Sequence, residues 1–314
     1  MREDRRRKAT IRGTESATQP KRGTEVTQVL MGAGKDWTGR MLLEGHYRRF
    51  TSALRALPDF IVIGAQKAGT TSLFHYVSQH PAVVPAFEKE VHYFDGGLIP
   101  GIDTFDRGPG WYRAHFPLRR RLNGGLKTGE ASPLYLFSPP APGRIRRLLP
   151  SVKLIALLRN PTERAISHYL HNARVPGREP LSMSDAFQQE EDRLGSAIAE
   201  GDFKSPDFIH YSYKARGRYH EQLERFLTRF PSEQLLILDS DQLFTDPGAV
   251  LPAVFSFVGV DETYVVKNLN PRNVGAERAR VGEKVYHTLD RYFALHNERL
   301  YDLIGRRFDW DRDR

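Results

Sequence analysis

Residues 60–72 read Phe60-Ile61-Val62-Ile63-Gly64-Ala65-Gln66-Lys67-Ala68-Gly69-Thr70-Thr71-Ser72. The first four are uncharged and mostly β-branched, the composition of a strand covered on both faces in a parallel sheet. Gly64 and Gly69 then bracket a turn without Cβ obstruction, so that backbone N–H groups can converge on an anion, and three hydroxyl residues open a helix. The stretch predicts a phosphate-binding strand–loop–helix unit inside an α/β fold with a central parallel sheet flanked by helices. A tight turn with an incidental lysine is the alternative, and the run of hydroxyls counts against it.

The loop keeps the glycine frame of the ATPase pattern G-x-x-x-x-G-K-[ST] but puts Thr70 at the lysine position and Lys67 inside the turn. This arrangement resembles the 5′-phosphosulfate loop of the sulfotransferases that use PAPS (3′-phosphoadenosine 5′-phosphosulfate). The resemblance implies a P-loop NTPase-like sulfotransferase fold. It also implies that Gln66, Lys67, Ala68, Gly69, Thr70, Thr71 and Ser72 surround the 5′-phosphate, with Lys67 neutralising the bridging oxygen as PAP leaves.

With 314 residues, 39% of them hydrophobic, the chain can bury a core of one large α/β domain. No stretch is apolar for the roughly 18 residues that span a membrane, and the N-terminus lacks a signal peptide's apolar core, so a soluble protein without stable membrane insertion is expected. There is no cysteine, which removes disulfides, thiolate metal sites and a cysteine nucleophile and points to a reducing cytoplasm. Of the +9 formal charge, residues 1–40 carry ten Lys/Arg against five Asp/Glu, leaving +4 for the rest. That head has no apolar periodicity and reads as a disordered basic segment, with the folded domain over 41–314. Leu42, Leu43, Tyr47, Phe50, Leu54 and Leu57 are spaced for a lead-in helix packed on the sheet, ended by Pro58.

The chemistry is expected next, in Glu88-Lys89-Glu90-Val91-His92-Tyr93-Phe94-Asp95. On an extended backbone Glu90 and His92 share one face, where a titratable pair can deprotonate a hydroxyl or amine. Taken alone, such a pair on an edge is more often just solvated. The segment resembles the E-x-H-F-F-D-like motif of heparan sulfate 3-O-sulfotransferases and the related N-sulfotransferases, which implies Glu90 as catalytic base with His92 in support. The similar order of motifs runs from Asp59 to Trp310, through Gly108-Pro109-Gly110-Trp111-Tyr112 in a loop-like region. In Gly129-Glu130-Ala131-Ser132-Pro133, Ala131 stands where relatives acting on heparan sulfate carry lysine. The form is similar to bacterial sulfotransferases and counts against a glycosaminoglycan acceptor. Glu130 and Tyr135 are expected on the acceptor side, although a loop-orienting role for Glu130 fits equally well.

A further apolar strand over 152–158 delivers Arg159 to the sheet edge where open α/β folds bind ligands, and Pro161 starts a helix that places Ser167 two turns along. The string Arg159-Asn160-Pro161-Thr162-Glu163-Arg164-Ala165-Ile166-Ser167 is similar to the family's 3′-phosphate site, which implies Arg159 and Ser167 as its ligands. Tyr219 corresponds to residues near the adenosine, and Arg278 or Arg280 to the loop that closes over the 3′-phosphate. Residues 175–205 are charged and weakly periodic, where relatives vary acceptor recognition. A strand over 234–238 and a long final amphipathic helix over 281–304 complete the reading.

The expected activity is transfer of a sulfonate from PAPS to a hydroxyl, or less readily an amine, of a glycan, glycolipid or secondary metabolite. No metal and no nucleic acid are expected, and a bacterial cytoplasmic enzyme is the expected setting. Two rivals stand beside it: a P-loop-like nucleotide kinase, which needs lysine after Gly69, and a non-catalytic nucleotide- or polyanion-binding module.

Overall fold

β1 (Phe60–Gly64) is the centre of the sheet, and Phe60 to Ile63 expose no surface, as an apolar strand without alternation requires. Burying each such side chain contributes about 1.5–3 kcal/mol. The computed structural model describes residues 44–272 and 281–310, so the basic head (1–40), Arg278 and Arg280 lie outside the described residues. β2 (Val83–Pro85), β3 (Lys127–Ala131), β4 (Lys153–Leu158) and β5 (Leu235–Asp239) complete a parallel sheet in the order β2-β3-β1-β4-β5. The chain leaves β1 toward one edge and β4 toward the other. Their carboxyl ends therefore flank the switch point where open sheets form a ligand crevice.

Helices cover the sheet in chain order: α1 (Thr70–Val77), α2 (Gly108–Arg113), α3 (Ala141–Leu148), α4 (Pro161–Ala173), α5 (Met183–Gln188), α6 (Glu190–Glu200) and α7 (Pro206–Tyr211). Then follow α8 (Tyr219–Leu227), α9 (Ser240–Thr245), α10 (Pro247–Val258) and α11 (Glu283–Ile304), which stops at a left-handed Gly305. No helix among the described residues is long and apolar enough to cross a membrane.

Three elements depart from the sequence reading. Among the described residues the lead-in stretch is helical over 44–50, followed by a single 3₁₀ turn at Ser52–Leu54; Phe50 and Leu54 face outward at 91% and 64% exposure, and Leu57 packs on the core. Arg55 replaces Phe50 and Leu54 as the anchor: its buried guanidinium donates to the Phe116 carbonyl at 2.8 Å, which turns those two away from the sheet. Residues 183–200, read as weakly periodic, form α5 and α6. β3 was not recognised as a strand because Lys-Thr-Gly-Glu-Ala has little β preference; its place between β1 and β2 overrides that preference.

Gly129 is the reason β3 can sit there. It pairs in register with Phe60, and a Cβ at 129 would stand 2.4 Å from the Phe60 ring. Gly129→Ala is expected to cost about 1–3 kcal/mol through overpacking, read as a lower urea midpoint at unchanged m.

Candidate active site

The crevice predicted at the switch point is a cleft of about 570 Å³. Its lining brings together Gln66, Lys67, Ala68, Gly69, Thr70, Thr71, Glu90, Arg159 and Ser167, from three separate stretches of the sequence. Gly69 caps α1 with φ 96°, and a Cβ there would meet the Phe244 ring at 2.6 Å, so this position requires glycine on two counts. The free N-terminal amides of α1 and the positive end of its dipole face the cleft, an arrangement made for an anion.

Lys67 has φ 71°, and its carbonyl accepts from Arg159 Nη1 at 3.1 Å, which fixes the loop from the β4 side. Burial lowers the Lys67 pKa, helped by the nearby Arg164, Arg159 and Arg174; Glu90 pulls the other way. Arg159 also faces Glu163 at 3.6 Å. The second arginine of that motif, Arg164, is fully buried and donates to the Tyr213 carbonyl rather than facing the cleft.

Glu90 and His92 do meet, but not on an extended strand. Glu90 has φ 43° and His92 φ 52°, and this left-handed turn brings His92 Nε2 to 3.5 Å from Glu90 Oε2. His92 Nδ1 lies 2.6 Å from the buried Asp95 carboxylate. Burial alone would lower the His92 pKa, but the charge and hydrogen bond of Asp95, with Glu90, push it up to about 10. His92 is therefore an imidazolium at neutral pH. Burial works to raise Glu90, and the hydrogen bond from His92 and the charge of Lys89 overcome it, bringing Glu90 down to about 2. The half-exposed Glu90 thus presents an ionised carboxylate to the cleft.

Four expected ligands stand elsewhere. Ser72 is fully buried, and its hydroxyl accepts from the Arg272 N–H at 2.9 Å, so it holds residue 272 rather than a phosphate. Tyr219 is buried against Trp310 and donates to the Arg159 carbonyl at 2.9 Å, setting that arginine from behind instead of touching adenosine. Glu130 and Tyr135 have no exposed surface and do not line the cleft; Glu130 accepts from Tyr112 at 2.7 Å, Ser132 at 2.6 Å and Tyr135 at 3.1 Å. Their expected contact with the acceptor is replaced by a place in the core. Trp111 and Tyr112 belong to the same aromatic core, beside Tyr93 and Phe94.

Several lining residues were missed, Pro133, His171, Ser240, Asp241, Phe244 and Pro271, while Arg272 belongs to the 270–284 loop whose closing residue the sequence left open. His171 follows Ser167 by one helical turn, and Ser240 follows directly on β5, so helix periodicity and the sheet-edge rule both pointed to them. Phe244 carried no such signal. His220, Glu221 and His296 also cluster, with possible ligand atoms within 4.8 Å, but outside the cleft lining, and Glu221 already faces Arg218 at 3.5 Å.

Known proteins agree with this geometry. A crystal structure of a sulfotransferase from Alicyclobacillus acidocaldarius is similar with a TM-score of 0.62 and 31% identity, covering 82% of this chain and all of that one. Mouse heparan sulfate glucosamine 3-O-sulfotransferase 6 is 29% identical over 82% of this chain and 75% of its own length. The membrane-associated sulfotransferase kil1 of Dictyostelium discoideum is 27% identical, over 82% of this chain and 67% of its own. Residues 57–277 match the family model described as a sulfotransferase domain, so this chain belongs to the sulfotransferase domain family and is a sulfate-transferring enzyme.

Proposed function

We propose that the donor is PAPS and that the chain, through its 41–314 domain, moves the sulfonate to a hydroxyl, or less readily an amine, of a small-molecule, lipid or glycan acceptor. The observation that supports this is one cleft lined by the 66–71 loop, the Arg159/Ser167 pair and Glu90, two elements suited to phosphate beside a carboxylate. A donor with phosphates at both 5′ and 3′ fits two such elements; ADP and ATP leave the second unused.

The step balances without a further reactant. The acceptor oxygen bonds to sulfur, the bond from sulfur to the bridging oxygen of the 5′-phosphate breaks, Glu90 receives the acceptor's proton, and PAP departs with the electron pair. As the new S–O bond forms, the hydroxyl becomes strongly acidic, so a carboxylate of low basicity suffices. Lys67 stabilises the charge on the leaving oxygen, and the loop amides with Thr70 and Thr71 hold the 5′-phosphate.

Arg159 supplies the test. Arg159→Ala is expected to weaken PAP by about 10- to 100-fold, the worth of a charge-assisted hydrogen bond, and to weaken ADP by clearly less, through the loosened Lys67 loop alone. Calorimetry of PAP, ADP and ATP on both proteins reads this; equal losses for PAP and ADP would remove the 3′-phosphate role. Product formation from PAPS with a host-cell extract, followed by mass analysis, identifies the acceptor. A non-catalytic module would bind PAP yet transfer nothing. A bacterial, cytoplasmic setting stays part of our reading, supported by the cysteine-free composition, and cell fractionation tests it.

A further inference from the structure

The turn that presents Glu90 is held in an unfavourable backbone shape. Two alternate residues hold positive φ here, and Glu90, a type that seldom visits the left-handed region, costs about 1 kcal/mol or more there. External contacts must therefore impose the shape. Three backbone N–H groups of the turn are fixed on residues 131–135: Glu90 on the Ala131 carbonyl at 3.0 Å, His92 on Ser132 Oγ at 3.1 Å, and Tyr93 on the Tyr135 hydroxyl at 2.9 Å.

Two of these acceptors are hydroxyls, which rotate and can donate as easily as accept. What fixes them is one buried carboxylate. We propose that Glu130 is a positioning residue for the reaction, orienting the Ser132 and Tyr135 hydroxyls so that their lone pairs hold the Glu90–His92 turn; the role rests on reading Glu90 as the base. Ser132 donates its single proton to Glu130 Oε2, and Tyr135 donates its own to Oε1. Each hydroxyl then has only lone pairs left for the N–H groups of His92 and Tyr93. A carboxylate accepts only, so the direction of both relays is set. Glutamine would bring an N–H₂ group, which competes for the same lone pairs and reverses one relay. Burial raises the Glu130 pKa, opposed by the three hydroxyl donors.

Glu130→Gln and Ser132→Ala test this, with kcat, acceptor KM, PAP affinity and melting temperature measured on each. Misplacement of the base by a fraction of an ångström lowers kcat by about 10- to 100-fold, with acceptor KM and PAP affinity nearly unchanged. A purely structural role would lower the melting temperature and leave kcat of the folded protein unaltered. Ser132→Ala removes the lone pair that holds the His92 N–H together with one donor to Glu130, and leaves the carboxylate with its Tyr112 and Tyr135 donors, so it decides the matter if Glu130→Gln does not fold. A folded Ser132→Ala protein with kcat within about twofold of the parent overturns the proposal. Glu90→Gln, run alongside, keeps the two readings apart: turnover retained there removes the base assignment, whereas turnover retained in Ser132→Ala removes the positioning role.

Discussion

Glu90→Gln is expected to lower kcat by about a thousandfold while PAP affinity stays nearly constant. The substitution keeps the shape of the side chain and removes its ability to take a proton, along with the negative charge that faces Lys89 and His92. Because the half-exposed carboxylate stands on a separate segment from the phosphate-binding elements, donor binding has no reason to follow it down. The pH profile gives an independent check on the same group. Glu90 is depressed to about 2, so it is ionised from pH 5 to 8, and kcat/KM should show no acid limb there. An acid limb with its midpoint in that window would assign the base to another group. The linkage signs differ across the pair. The stabilisation tied to Glu90 is present above its ordinary value of 4.5 and is lost as pH falls toward 2. That tied to His92 is present below 6.5 and is lost as pH rises through about 10.

Lys67→Met carries the second large effect, a loss of about 100- to 1,000-fold in kcat, the size found when one preorganised donor to developing charge is deleted. Its backbone is fixed by φ 71° and by the Arg159 contact, so the ammonium needs little reorganisation as charge builds on the leaving oxygen. Partial burial removes water that would otherwise screen it. The distinction from simple donor binding lies in which constant moves. Charge on the bridging oxygen grows in the transition state, so kcat should fall by more than PAP affinity; if PAP affinity falls as far as kcat/KM, Lys67 is a binding residue only.

The parts of this fold that were legible in the sequence are those whose physics is local. Phe60–Ile63 had to be a covered strand, and glycine-bracketed 64–69 had to be a turn open to an anion. β4, with Arg159 at its end, followed the same logic. Side chains whose surroundings come from distant segments were misjudged. Glu130 stood in a Gly-Glu-Ala-Ser-Pro segment that resembles the family's acceptor side, which left acceptor contact and loop orientation equally open, and nothing nearby announced that Tyr112 and Tyr135 would enclose it. Ser72 had the right position for a phosphate ligand but is one residue too deep, on the side of α1 that meets residue 272. The Glu90–His92 pair was found through the wrong backbone. Alternation on a strand would have put the two side by side, and the left-handed turn achieves the same proximity by a route that residue types do not reveal.

The contact between Arg159 and the Lys67 carbonyl joins the two halves of the donor site into one mechanical unit. One arm of the guanidinium grips the loop and the other faces Glu163, so the planar group is locked in orientation before any nucleotide arrives. A lysine at 159 would keep the charge yet lose the two-armed grip, releasing the loop at the residue that carries the ammonium for the leaving oxygen. With Arg159 on the 3′-phosphate, as proposed, recognition at the sugar end of the donor would be built into the shape of the loop at its reactive end. Arginine-to-lysine exchange, conservative on most surfaces, would here uncouple holding the donor from activating it.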